Sequence, residues 1–138
     1  ISYKSSPGGG TTDYAIEIYH EAKEKKKYTS FLEEGTKLPM MYMPDAIRAT
    51  IELMEAPTQK ISVRTSYNLS AMSFAPEDIA ASIKKIIPGF EISYKSDYRQ
   101  LIANSWPQSI DDSKAREDWG WKHEFDLDKM TKDMLENI

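Results

Sequence analysis

The chain has 138 residues, 40% of them hydrophobic and 29% charged, which suits one folded domain with a modest core. Its net charge of -4 offers no basic footprint for nucleic acid, and the absence of cysteine excludes a disulfide framework and a thiolate zinc site. No run approaches the roughly 18 apolar residues of a transmembrane span, so neither nucleic acid nor a membrane is expected as a partner, and a cytoplasmic setting is expected.

The opening segment ISYKSSPGGG lacks the apolar stretch of a signal peptide. It reads as the end of a strand followed by a loop, and without an initiator Met, Ile1 is read as an internal start. A helix is predicted from Asp13 to Lys25, because Ala15, Ile18, Tyr19 and Ala22 recur at helical spacing. Thr12 is the expected N-cap, with Asp13 in the first turn against the positive helix end. Residues 28–32 read as a strand and EEGTK as a turn. LPMMYM, residues 38–43, reads as a strand whose Pro39 keeps its start out of a central ladder.

Pro44 opens a second helix, with Ile47, Ile51 and Met54 as its expected buried stripe. Residues 61–70 alternate as a strand would. A third helix opens at Pro76 behind a poor cap, Ala75, with Ile79, Ile83 and Ile86 expected inside. Residues 90–95 read as a strand, and residues 97–105 as a short helix stopped by Trp106-Pro107. Asp111 or Asp112 then caps a helical turn to Trp119, and a last helix from Leu127 buries Met130, Met134 and Ile138. Alternating strands and helices give an α/β class with α+β character.

Four features carry potential chemistry. Gly8, Gly9 and Gly10 permit positive φ and a close approach of backbone to a ligand, just before a helix start that suits a carboxylate or phosphate. The same features describe a surface loop with a capped helix. The run is neither the dinucleotide fingerprint nor a P-loop. Tyr19 and Lys23 match the Tyr-x-x-x-Lys pair in which lysine lowers a tyrosine pKa for general-base work, but Tyr19 lies on the apolar stripe and reads as packing. His20 and His123 lack neighbours at metal-ligand spacing, so no metal site is expected, and no GxSxG elbow exists. Trp119 and Trp121 read as a small core under a turn. Trp106, held extended before Pro107, either packs or walls a pocket.

The strings PGGGTTDYA, LPMMYMPDAIRATIELM, SYNLSAMSF, SIKKIIPGFEISY, SWPQSIDDSKAREDWGW and FDLDKMTKDMLENI together resemble the carboxyl-terminal part of NAD-dependent L-threonine 3-dehydrogenases of the short-chain, epimerase-related type. The resemblance runs in order through essentially the whole chain. It implies that residues 1–138 form a single substrate-binding region of an extended short-chain dehydrogenase/reductase, with the NAD-binding Rossmann domain and the catalytic Tyr-x-x-x-Lys upstream and absent here. Tyr19 and Lys23 then fall on a later helix and are not that pair, so the chain holds no catalytic residue and is expected to be inactive alone.

The resemblance further implies a substrate site for L-threonine made by Gly10, Thr11, Thr12, Asp13 and Trp106. The glycines close over a small amino acid, the threonines address its carboxylate, Asp13 its ammonium, and Trp106 caps the pocket. Ile1 follows the family's Pro-Gly segment beside the nicotinamide, which makes it the one cofactor contact. Ala75 departs from the family, which tends to place a hydroxyl cap there. The chain is also expected to expose apolar surface and self-associate. Two other readings remain open on the sequence. One is the corresponding part of a nucleotide-sugar epimerase or dehydratase. The other is a free-standing module that binds a small ligand.

Overall fold

A computed structural model describes all residues, 1–138. The chain forms two small sheets and six helices, with one main core and a small satellite cluster. Helix α1 (Tyr14–Lys25) buries Ala15, Ile18, Tyr19 and Ala22, the stripe its periodicity predicts, and Tyr14 beside them. It feeds strand β1 (Lys27–Ser30), which pairs in parallel with β4 (Glu91–Tyr94), Lys27 opposite Glu91 and Ser30 opposite Tyr94. A parallel pair needs a crossover, and the intervening chain provides it with two helices and a second sheet. That second sheet pairs β2 (Leu38–Met40) antiparallel to β3 (Met72–Phe74), Pro39 facing Ser73. With only two strands, Pro39 has an open side and disrupts no central ladder.

Helix α3 (Pro76–Ile86) and helix α6 (Leu127–Asn137) close the core over α1. Ile79, Ile83, Met130 and Met134 are fully buried in it. The weak cap at Ala75 is compensated by other groups. Asp78 accepts the Ala75 N–H at 2.8 Å, and the Ala75 carbonyl, in place of a side-chain oxygen, accepts the Asp78 N–H at 3.1 Å. Asp126 caps α6 through the Lys129 N–H at 2.8 Å. A satellite cluster of Ala49, Ala115 and Trp121 sits under helix α5 (Ser113–Trp119), with Trp119 packed against it.

Several expectations from the sequence fail. Residues 1–10 contain no strand, although Ile1 donates its amino group to the Met41 carbonyl and accepts the Met43 N–H. The strand expected over residues 38–43 stops at Met40, because helix α2 (Met43–Glu55) starts at once. Residues 61–70 form no strand. Their backbone is served by side chains instead, Ser62 N–H by Asp118, Ser70 N–H by Asp112 and the Ser70 carbonyl by the Trp121 indole. Ile86 lies at the exposed end of α3.

The largest departure concerns α2. Ile47, Ile51 and Met54 are 55%, 49% and 80% exposed, and Met43 joins them on the same face. The helix is held by its other side. Asp45, buried in its first turn, accepts the N–H groups of Glu124 and Phe125 at 3.0 Å each, and Arg48 stacks on Trp121.

Candidate functional site

The glycine run forms a small closed loop. Asp13 sits at the N-cap position in helical backbone and makes no side-chain cap. Its Oδ2 instead reaches back to the N–H groups of Gly8 and Gly10, the latter at 2.9 Å. Thr12 therefore does not cap the helix as expected. Its carbonyl accepts the Ala15 N–H at 3.1 Å, and the Gly10 carbonyl accepts that of Asp13. Gly9 crowns the loop with φ +89°, a conformation that requires glycine. Gly8 and Gly10 do not share it, and a methyl group at either would meet the Asp13 carboxylate at ordinary contact distance.

This wiring determines which groups stay free. The Asp13 carboxylate uses one oxygen on the loop and leaves Oδ1 unpartnered. No hydrogen bond within the chain engages the N–H or the hydroxyl of Thr11 or Thr12. One acceptor oxygen, two hydroxyls and two N–H donors thus gather on three consecutive residues just before α1. That set can address a small zwitterion, an ammonium through the acid and a carboxylate through the donors.

A second element reaches this loop. Helix α4 (Tyr98–Asn104) starts at Asp97, whose carboxylate caps it through the Arg99 N–H at 2.9 Å. The Arg99 guanidinium pairs with the same carboxylate, lies over the Phe31 ring at 3.2 Å from its centroid and donates to the Gly9 carbonyl at 3.4 Å. Arg99 and Phe31 were not singled out from the sequence. The Asp-x-Arg spacing at the helix start is visible there, but a contact with Gly9, ninety positions away, is not. Trp106 follows α4, donates its N–H to Ala103 at 3.1 Å and is 42% exposed, so it is not consumed by the core. Direct contact between Trp106 and residues 10–13 is not among the interactions of the chain. What joins the two is α4 itself.

Other candidates resolve differently. Tyr19 is fully buried, its hydroxyl bonded to Thr131 at 2.9 Å, and burial pushes its pKa well above the ordinary tyrosine value. Lys23 points to the Ile138 carbonyl. The two do not form a base pair of the Tyr-x-x-x-Lys kind. His20 lies on α1 and His123 in the segment between α5 and α6, and no cluster of three or more His, Asp or Glu side chains is arranged to hold a metal. Ile1 spends both of its backbone groups on Met41 and Met43 and leans its side chain on the core. A cavity of about 670 Å³ opens elsewhere, between α3 and the start of α6, lined by Lys37, Ser82, Lys85 and His123 among others. No helix is long and apolar enough to cross a membrane.

This fold recurs in known proteins. The chain superposes on a GalE-like L-threonine dehydrogenase of Cupriavidus necator with a TM-score of 0.94 and 61% identity, covering 99% of this chain and 50% of that one. The chain belongs with the carboxyl-terminal part of the epimerase-like L-threonine 3-dehydrogenases. A mitochondrial L-threonine 3-dehydrogenase of Bos taurus is 53% identical over 136 residues, 98% of this chain and 36% of the relative. An uncharacterised epimerase/dehydratase of Staphylococcus haemolyticus is 54% identical over 139 residues, all of this chain and 44% of the relative. The chain thus spans less than half the length of these curated relatives. No family model matches it. The α/β architecture read from the sequence, that of a part of an extended short-chain dehydrogenase/reductase, agrees with these likenesses.

Proposed function

We propose that residues 1–138 are the substrate-side region of an NAD-dependent L-threonine 3-dehydrogenase, which oxidises L-threonine to 2-amino-3-oxobutyrate. The observation that carries this reading is the 61% identity to the Cupriavidus necator enzyme over 99% of the chain. The loop chemistry supports it. Asp13 Oδ1 faces the ammonium, the N–H and hydroxyl groups of Thr11 and Thr12 take the carboxylate, Gly10 permits close approach, and Trp106 shields the pocket from water.

These residues do not fit a whole dinucleotide. Two of the three N–H groups of the glycine run, those of Gly8 and Gly10, are already taken by Asp13, and that acid repels a pyrophosphate. NAD, which accepts the hydride from the threonine β-carbon, and the tyrosine base that takes the hydroxyl proton belong to a dinucleotide-binding domain of the same polypeptide. In this reading Ile1 is the only residue here beside the nicotinamide. The exposed α2 face, Met43, Ile47, Ile51 and Met54, is the surface that domain covers, and residues 1–138 alone are inactive and self-associate through it. A cytoplasmic setting belongs to the same proposal, with neither nucleic acid nor a membrane as partner.

The test is to express the protein from its native gene and follow NADH formation with L-threonine and, separately, with nucleotide sugars. Activity with threonine alone is expected. Turnover of a nucleotide sugar with none of threonine would replace this reading with an epimerase or dehydratase. A reading of that kind gains nothing from the loop, whose one charged group is an acid, whereas a sugar diphosphate calls for cations.

A further inference from the structure

The glycine loop is exposed, and its internal hydrogen bonds are all made by Asp13 or by neighbouring backbone. Among residues 7–10, one hydrogen bond leaves the loop for another element, the bond from Arg99 to the Gly9 carbonyl. Arg99 is not a loose surface side chain. It is 17% exposed, held by Asp97 through Nε and a terminal nitrogen, and stacked on Phe31. Phe31 in turn packs edge-on against Tyr14, the first residue of α1 behind Asp13, and its carbonyl accepts the Asp97 N–H at 3.2 Å.

The guanidinium therefore leans on both ends of the loop. It touches the crown directly at Gly9 and the helix start through Phe31 and Tyr14. It does so from the first turn of α4, the helix whose last turn accepts the N–H of the following Trp106.

We propose that Arg99 is a positioning residue for the threonine site, fastening the Gly8–Asp13 loop to the helix that presents Trp106 so that both walls of the pocket keep one spacing. This rests on the reading of that loop as the substrate site. A planar, forked cation is needed, because one side chain must stack on a ring, pair with a carboxylate and donate to a carbonyl at once. A lysine ammonium satisfies only part of that set. Arg99 acts through the loop and touches neither substrate nor cofactor.

The experiment uses the native gene product and its Arg99→Ala and Arg99→Lys variants. Arg99→Ala is expected to raise the threonine KM roughly tenfold while the NAD KM stays within about twofold, with Arg99→Lys between it and the parent. Amide hydrogen exchange is read on the same proteins. The Gly8 and Gly10 amides are expected to exchange about tenfold faster in Arg99→Ala, with the amides of α1 unchanged. A threonine KM within about twofold of the parent, or threonine and NAD KM rising together, overturns the proposal. If the parent protein does not oxidise threonine, the functional reading fails on its own. Exchange at Gly8 and Gly10 then still decides whether Arg99 holds the loop, and unchanged exchange rejects it.

Discussion

Asp13 Oδ2 accepts the N–H of Gly10 at 2.9 Å, three residues back along the chain. The bond closes the loop with one carboxylate oxygen and leaves the other for a ligand. Asp13→Asn separates those duties, because an amide oxygen still accepts from the loop but carries no charge. The fold is expected to survive with little change in Tm, while the threonine KM of the native gene product rises at least roughly tenfold. Asp13→Ala loses the loop as well, and because the freed Gly8 and Gly10 N–H groups are exposed to water the cost is only about 0.5–1.5 kcal/mol. A threonine KM unchanged in Asp13→Asn removes Asp13 from ammonium binding.

Gly9 and Gly8 give a contrast within two adjacent positions. Gly9 holds φ +89° with open space around it, so alanine there is strained by its backbone alone. Gly9→Ala is expected to cost about 1–2 kcal/mol. At Gly8 an added methyl group lies 3.6 Å from the Asp13 carboxylate, an ordinary contact. Gly8→Ala is expected to stay within about 0.5 kcal/mol of the parent. Thermal melts of the two variants check the order, and equal Tm values would mean that the loop does not keep this turn in solution.

The face of α2 makes a third expectation. Four large apolar side chains at helical spacing face outward, the arrangement of a surface meant to be covered. Residues 1–138 produced alone are expected to associate with rising concentration. The double variant Ile47→Glu, Ile51→Glu is expected to disperse them, since both side chains are already exposed and the core does not depend on them. Sedimentation across a concentration series reads the difference. A parent chain that stays monomeric throughout would show that this face needs no cover.

That helix also shows where sequence reasoning reaches its limit. Periodicity identifies an apolar stripe but not what lies against it. On α1 and α6 the stripe meets the core of this chain, and on α2 it does not. Residues 61–70 fail for another reason. Alternation suits a strand, but Asp112, Asp118 and Trp121 meet the backbone there, and no local pattern announces partners some fifty positions away. The site was legible as a place, since three glycines before a helix are conspicuous. Its wiring was not. Thr12 was the natural cap by residue preference, yet Asp13 turns back to the loop, and Arg99 reaches it from a helix that the sequence only outlines.

Acid sensitivity follows from Asp118. Its carboxylate takes the Ser62 hydroxyl at 2.6 Å, the Tyr67 hydroxyl, the Ser62 N–H at 3.0 Å and the Lys114 ammonium at 3.3 Å. The Ser62 and Tyr67 hydroxyls, aided by the Ser62 N–H and Lys114, outweigh burial and hold its pKa well below the usual carboxylate range. A carboxylate depressed in the folded state binds fewer protons there than in the unfolded chain at the same acidic pH. Its contribution is therefore complete above the ordinary carboxylate pKa and is lost as the pH falls through the folded value. Tm is expected to fall on acidification from pH ~6 to ~3, and to fall less steeply in Asp118→Asn, which has no proton to take up. Asp45 and Asp128 are depressed in the same sense, so the variant removes only one share of the slope. Parallel Tm curves for parent and variant would mean that Asp118 does not tie residues 61–70 to α5 in solution.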